Sequence, residues 1–303
     1  MARRTATRSF LFVPLLALLA APGAAPAPEA HRAEIEAWRA KRAASLKRED
    51  GWLTLAGLFW LQEGENRLGS DPQSNRIVFP ADTTPKTMGS LDVSKGTVTL
   101  RAAPDSGLTH DGRAVTVMTL VSDADGSPTV VKHGRISFFV IKRGERLGVR
   151  VKDSANPVLL GFHGVDNYPI DRRWRFDARW DPYQPPKTIP VPNILGSVDR
   201  EKSPGAVVFE VGGRRYRLDA VQEAGSEDLF LIFGDQTNGE ETYGGGRFLY
   251  ASPPDKNGRV VLDFNKAYNP PCVFTPYATC PLPPAQNRLS IRVESGEKRY
   301  GGH

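Results

Sequence analysis

The sequence predicts a mostly β protein, and three features carry that prediction. The 303 residues include 25 prolines and 29 glycines, a punctuation that favours many turns over long helices. Short runs of β-branched and aromatic residues recur between Gly, Asn and Asp turns, with no helices alternating between them, which is the pattern of sandwiches and barrels. Only one segment keeps a helical period. The predicted architecture is an N-terminal helix, a β-sandwich over residues 52–153, and a second antiparallel β-domain, sandwich or barrel, over 157–303.

Each element has a local reason. Over residues 31–50, Ile35, Trp38, Ala43 and Leu46 recur at helical spacing, and Gly51 stops the helix. The apolar stretch from Trp52 to Leu61 is expected to dock that helix onto a sheet. Strands are read at Arg76–Phe79, Thr97–Leu100, Ile136–Ile141 and Leu147–Val151, the last two joined by an Arg143-Gly144 turn. Asp181 to Pro192 carries five prolines and reads as a segment running over a surface between domains. Beyond it, Val207–Val211 turns at Gly212-Gly213 into Tyr216–Leu218. Leu229–Phe233, Arg247–Tyr250 and Val260–Phe264 are expected to meander in one sheet, and Leu289–Val293 is the last strand.

Residues 1–25 read as a secretory signal. Arg3, Arg4 and Arg8 precede an apolar run from Phe10 to Ala21, followed by small residues. The mature chain is expected to be periplasmic or secreted, with no membrane span, since no later segment approaches ~18 apolar residues. Removing those three arginines from a formal charge of +6 leaves +3. That charge, without basic runs or a recognition motif, speaks against a nucleic-acid partner.

Two resemblances follow from particular residues. Gly69-Ser70-Asp71-Pro72 before Ile77-Val78-Phe79-Pro80, with Asp105-Ser106-Gly107 before Asp111-Gly112, resembles a forkhead-associated β-sandwich. That family places an Arg where Ser70 stands, a Ser and a His after it, and an Asn where Asp111 stands. Phosphothreonine binding is therefore not implied. A longer set covers most of the chain: Gly51-Trp52-Leu53, Gly64-Glu65-Asn66, Thr242-Tyr243-Gly244 with Gly246-Arg247, and Asn269-Pro270-Pro271-Cys272 with Cys280-Pro281-Leu282-Pro283-Pro284. It resembles a bacterial family of unknown function, domain of unknown function 1684, and the resemblance implies no activity.

Three segments hold chemistry-bearing residues. The Pro-rich loop 269–287, entered from Asp263 and Asn265, holds Tyr277, Asn287, Cys272 and Cys280. Its prolines restrict the unfolded chain and pre-position its polar groups. The two cysteines are expected to form a disulfide in an exported chain, with paired free thiols or metal ligands as the alternatives. A metal site is discounted because histidines are scattered singly. The segment from Asp235 to Arg247 places Thr237, Tyr243 and three glycines beside an arginine suited to an anion. The bland alternative is a glycine bulge with Arg247 paired to a structural carboxylate. His163 and Asp166 form a possible general-base pair, against a reading as plain surface residues.

No nucleophile elbow, zinc-protease helix or dinucleotide fingerprint accompanies these residues. The function expected is binding of a small anionic or carbohydrate-like ligand in the cell envelope, without a cofactor, through Asp235, Thr237, Tyr243, Arg247, Asp263, Asn265, Tyr277 and Asn287. The alternatives are a hydrolase-like enzyme using Asp235 or Asp263 with Arg247, and a protein-interaction scaffold.

Overall fold

The computed structural model describes residues 27–301; the signal segment 1–25 lies outside the described residues. Strand makes up 43% of the chain and helix 14%, as a mostly β sequence requires.

The N-terminal half is two sheets packed face to face. The first runs in space as Leu55–Trp60, Arg146–Asp153, Ile136–Arg143, Val131–His133, Thr109–His110 and Arg113–Ala114. The second runs as Ile77–Val78, Gly64–Gly69, Gly89–Ser94, Thr97–Ala102 and Val117–Leu120. Period-two alternation puts Ile136, Phe138, Val140, Val149 and Val151 of one sheet against Leu91, Val98 and Leu100 of the other, all buried in one core. The Gly64-Glu65-Asn66 motif is a structural device. Buried Asn66 accepts from Gln62 N and donates to Gln62 O, Gly64 O and Leu91 O, closing the turn before its strand.

The C-terminal half joins a four-stranded sheet, ordered Arg214–Asp219, Val198–Val211, Arg175–Pro192 and Arg259–Asp263, to a two-stranded ribbon of Leu229–Phe233 and Arg247–Ala251. Phe264 sits at the centre, its ring 5.3–6.1 Å from those of Phe233, Phe209, Phe176 and Trp174.

Several expectations need correction. The helix spans Pro28–Leu46, not 31–50. Proline suits the first helical position. At the other end Gly51 packs so close to the final carbonyls that a Cβ there would lie 2.6 Å from Leu46 O. The Pro-rich span is the last two thirds of an 18-residue strand and not a linker. Residues 175–179 pair with Arg259–Asp263, and beyond Arg179 the strand pairs only with Val198–Val211, so the prolines fall where the strand is an edge and no N–H is needed on the open side. Val260–Phe264 does not extend the Leu229–Tyr250 ribbon into a meander; Arg259–Asp263 pairs with Arg175–Arg179 instead. Leu289–Val293 is no strand: its backbone groups bond to Gly234, Gln236 and the side chains of Asp235 and Arg247.

The helix lies across the C-terminal half, held mainly by polar groups. His31 Nε2 is 2.7 Å from Asp263 Oδ2 with both residues buried, Lys266 pairs with Glu34, and Arg39 and Arg42 donate to Tyr168 O and Asn269 O. Leu46 and Leu53 then pack with Phe162, Val273 and Phe274. The apolar stretch after the helix thus docks it on the Pro-rich loop as well as on the sheet.

Candidate functional site

Arg247 is completely buried at the start of its strand. Gly246 precedes it at φ +86°, where a Cβ would meet Phe233 O at 2.6 Å and Pro283 Cγ at 2.4 Å, so only glycine lets the chain turn there. Arg247 Nη2 donates to Asp235 Oδ2 and Val293 O, both at 2.8 Å, and Nη1 donates to Ser295 O and Glu297 O. Only Nε is left without a partner. Asp235 Oδ1 accepts from Thr237 N, Thr237 Oγ1 and Val293 N. The pair is a sealed structural unit, because a buried guanidinium demands such compensation.

The neighbouring candidates behave alike. Asp263 Oδ1 accepts from Asn265 N and Nδ2, while Asn265 exchanges two hydrogen bonds with the backbone of Asp171. Asn287 does the same with the backbone of Asp219 and also donates to Ile232 O. These side chains stand in for missing strand partners. Tyr243 packs by Phe162, Val273 and Phe274, away from Arg247, and burial pushes its phenol up. Tyr277 is half-buried, its N–H donating to Thr275 Oγ1. His163 and Asp166 are exposed. The structure therefore gathers Asp235, Thr237 and Arg247 in one place and Asp263 with Asn265 in another, and leaves Tyr243, Tyr277 and Asn287 apart.

The expected disulfide is absent: Cys272 and Cys280 are free thiols. The spacing does bring them together, but the loop is closed by reciprocal hydrogen bonds, Cys272 N–H donating to Cys280 Sγ at 3.1 Å and Cys280 N–H to Cys272 Sγ at 3.3 Å. The contact with Cys272, followed by burial, raises the Cys280 thiol.

Apart from a cavity that Asp263 lines, open space lies elsewhere. A cleft of about 420 Å³ separates the two halves. Its C-terminal wall is aromatic. Phe230 stacks on Tyr250 at 4.8 Å and 22°, Tyr250 on Tyr268 at 6.3 Å and 14°, and Phe248 meets Phe230 edge-on at 5.0 Å. Strand alternation produces this wall, since Arg247 and Leu249 turn inward and Phe248 and Tyr250 turn the other way. Trp52, 37% exposed, lines the cleft from the N-terminal half, and Tyr250 is 38% exposed. Arg42 stands 4.6 Å over the Tyr268 ring.

Polar groups border the rings. The Tyr250 hydroxyl donates to Glu223 Oε2 at 2.6 Å, and burial first, then the nearby phenol of Tyr268, raises Tyr250. Arg143, fixed by both oxygens of Asp123, donates through Nε to Thr279 Oγ1 at 3.0 Å. Behind Trp52, its guanidinium 5.3 Å from that ring, lies Arg150. It is 4% exposed, donates through Nη2 to the same Thr279 oxygen at 3.4 Å, and leaves Nε unpartnered. Burial and the charge of Arg143 pull it down to about 10.

Sequence reasoning missed this cleft. Arg150 sits between core-facing Val149 and Val151, so alternation assigns it to an outward, solvated face; only the packing of the second half buries it. Trp52 belongs to the apolar stretch expected to dock the helix. The alternation of Leu229–Phe233 was the one available signal, since it places Phe230 and Ile232 on a common apolar face.

Several of the motifs noted in the sequence meet in this architecture: Gly246 abuts Pro283, and Cys272 and Cys280 close the loop beside the cleft. Residues 160–298 match the family model described as Protein of unknown function (DUF1684). The DUF1684 region thus includes the aromatic wall but not Trp52, Arg143 or Arg150. The chain is also similar to a solution structure of an uncharacterized protein from Haloarcula marismortui, at 29% identity over 47% of this chain and 80% of that one, with a TM-score of 0.40. No curated protein matches the chain significantly. Among the described residues no helix is long and apolar enough to cross a membrane, and no group of three metal-ligating side chains is present.

Proposed function

We propose that the protein is exported and binds a small carbohydrate-like molecule in the cleft between its halves. One observation carries this reading: the stacked faces of Phe230, Tyr250 and Tyr268 across from Trp52, bordered by Glu223, Thr279 and arginines. Flat aromatic faces take the C–H faces of sugar rings, and a few fixed polar groups at the rim orient hydroxyls. A volume of about 420 Å³ suits one or two such rings.

The geometry favours binding over hydrolysis. A second cavity of about 430 Å³ has Asp263, Glu34 and Asp255 in its lining. Hydrolysis asks for a carboxyl poised high beside a second carboxylate. Here the hydrogen bond from Lys266 holds Glu34 low, and backbone N–H groups, Arg259 first, hold Asp255 low.

Calorimetry with a panel of neutral hexoses and disaccharides tests the binding. At least one should bind, and Trp52→Ala or Tyr268→Ala should weaken it about tenfold, the worth of one aromatic contact. Binding unaffected by both substitutions refutes the site. Export rests on the basic residues Arg3, Arg4 and Arg8 before the apolar run. Intact-mass measurement of the protein from its native host should show a start shortly after residue 25, and a retained Met1 refutes export.

A further inference from the structure

We infer that the ligand of the cleft carries an anionic group, a carboxylate or phosphate on the sugar, seated where Arg143, Arg150 and Thr279 converge. The inference rests on the proposed carbohydrate site and specifies what that site selects.

Charge is the first argument. The two arginines that line the cleft have carboxylate partners, Arg42 with Glu297 and Arg143 with Asp123, and Arg150 lies just behind the lining residues Trp52 and Thr279. Among the described residues Arg150 has no ion-pair partner, although it is 4% exposed. An unpaired buried guanidinium is costly in a finished structural core, and the sealed Arg247–Asp235 unit shows how this fold satisfies one when the role is structural. Arg150 is left wanting an anion beside an open cleft. Its lowered pKa agrees, since a nearby anion would restore it.

Hydrogen bonding supplies an independent argument. Thr279 Oγ1 accepts from Arg143 Nε and from Arg150 Nη2. A hydroxyl has two lone pairs and one hydrogen. With both lone pairs taken, its O–H remains a donor on a residue that lines the cleft. The unpaired guanidinium of Arg150 and a hydroxyl forced to donate, both set by Arg143, which is itself fixed on Asp123, make a seat for an acceptor-only group, and such charge-assisted bonds are the strong ones. A neutral sugar hydroxyl gains less there, and a cationic amino sugar is repelled.

The experiment compares D-glucose with D-glucuronate by calorimetry on the full chain, wild type against Arg150→Met and Thr279→Val. Wild type should prefer glucuronate by about tenfold or more, and added salt should erode the preference. Both variants should bring the ratio close to unity, the loss falling mainly on glucuronate. Thermal melting separates this from a structural role: Arg150→Met without ligand should melt no lower than wild type, because it removes an uncompensated buried charge. Equal binding of the two sugars by wild type, a preference surviving in both variants, or a large drop in melting temperature in Arg150→Met overturns the inference. Should glucose and glucuronate both fail while benzoate binds in an Arg150-dependent manner, the anion seat stands and the carbohydrate reading falls. Failure of all three overturns both.

Discussion

Arginine occurs in this protein in two chemical situations that sequence cannot separate. Arg247 and Arg150 both stand in strands among apolar residues, and both are buried. Arg247 spends its donors on Asp235 and on the carbonyls of Val293, Ser295 and Glu297, whereas Arg150 has a single long bond to a hydroxyl. Opposite responses to truncation follow. Arg247→Ala should cost about 3–5 kcal/mol, since it strands the Asp235 carboxylate and three carbonyls in the core. The loss should appear in chemical denaturation as a lower midpoint, with sugar binding retained by whatever fraction still folds. A near-neutral effect of Arg247→Ala would show that the sealed cluster is not structural.

The helix Pro28–Leu46 buries few apolar side chains, and its hold on the C-terminal half rests on buried polar groups. Glu297 is central to that hold. Its Oε1 accepts from Arg42, its Oε2 from the Asn269 N–H, and the residue is 2% exposed. Desolvation outweighs Arg42, so its pKa lies above the ordinary 4.5. The folded state therefore keeps this proton more tightly than the unfolded chain does. The stability tied to it is fully present below about 4.5 and is lost as pH rises from there towards the higher folded value. Melting curves of wild type and Glu297→Gln across that window should show wild type losing ground to the amide as pH increases. A difference that stays flat, or that grows in favour of wild type, contradicts the assignment.

Elements also mark where the sequence was legible. Ile136–Ile141 with Leu147–Val151, and Val207–Val211 with Tyr216–Leu218, were readable because a Gly-containing turn and period-two alternation agree locally. The strand containing Pro182, Pro185, Pro186, Pro190 and Pro192 was not, because proline is acceptable there only once a neighbour is known to be missing on one side. Leu289–Val293 had the right alternation and became irregular because its backbone serves Asp235 and Arg247.

At the scale of the whole molecule, the residues of the cleft come from both halves, so no local pattern announces them. Trp52 and Arg143 precede the DUF1684 region, while Tyr268 and Thr279 lie within it. Asp235, Arg247, Asp263 and Asn265 were legible as special residues, but their roles depended on which were sealed and which faced space.

The bond between His31 and Asp263 joins residues 232 positions apart. Closing so long a stretch of chain is a late event, since the entropy of the connecting segment must be given up before the contact returns anything. During synthesis at 5–20 residues per second, the helix waits roughly 10–50 s for its partner to appear. The first described element is therefore among the last to find its place. Until Asp263, Asn269 and Glu297 emerge, the helix lacks these polar partners.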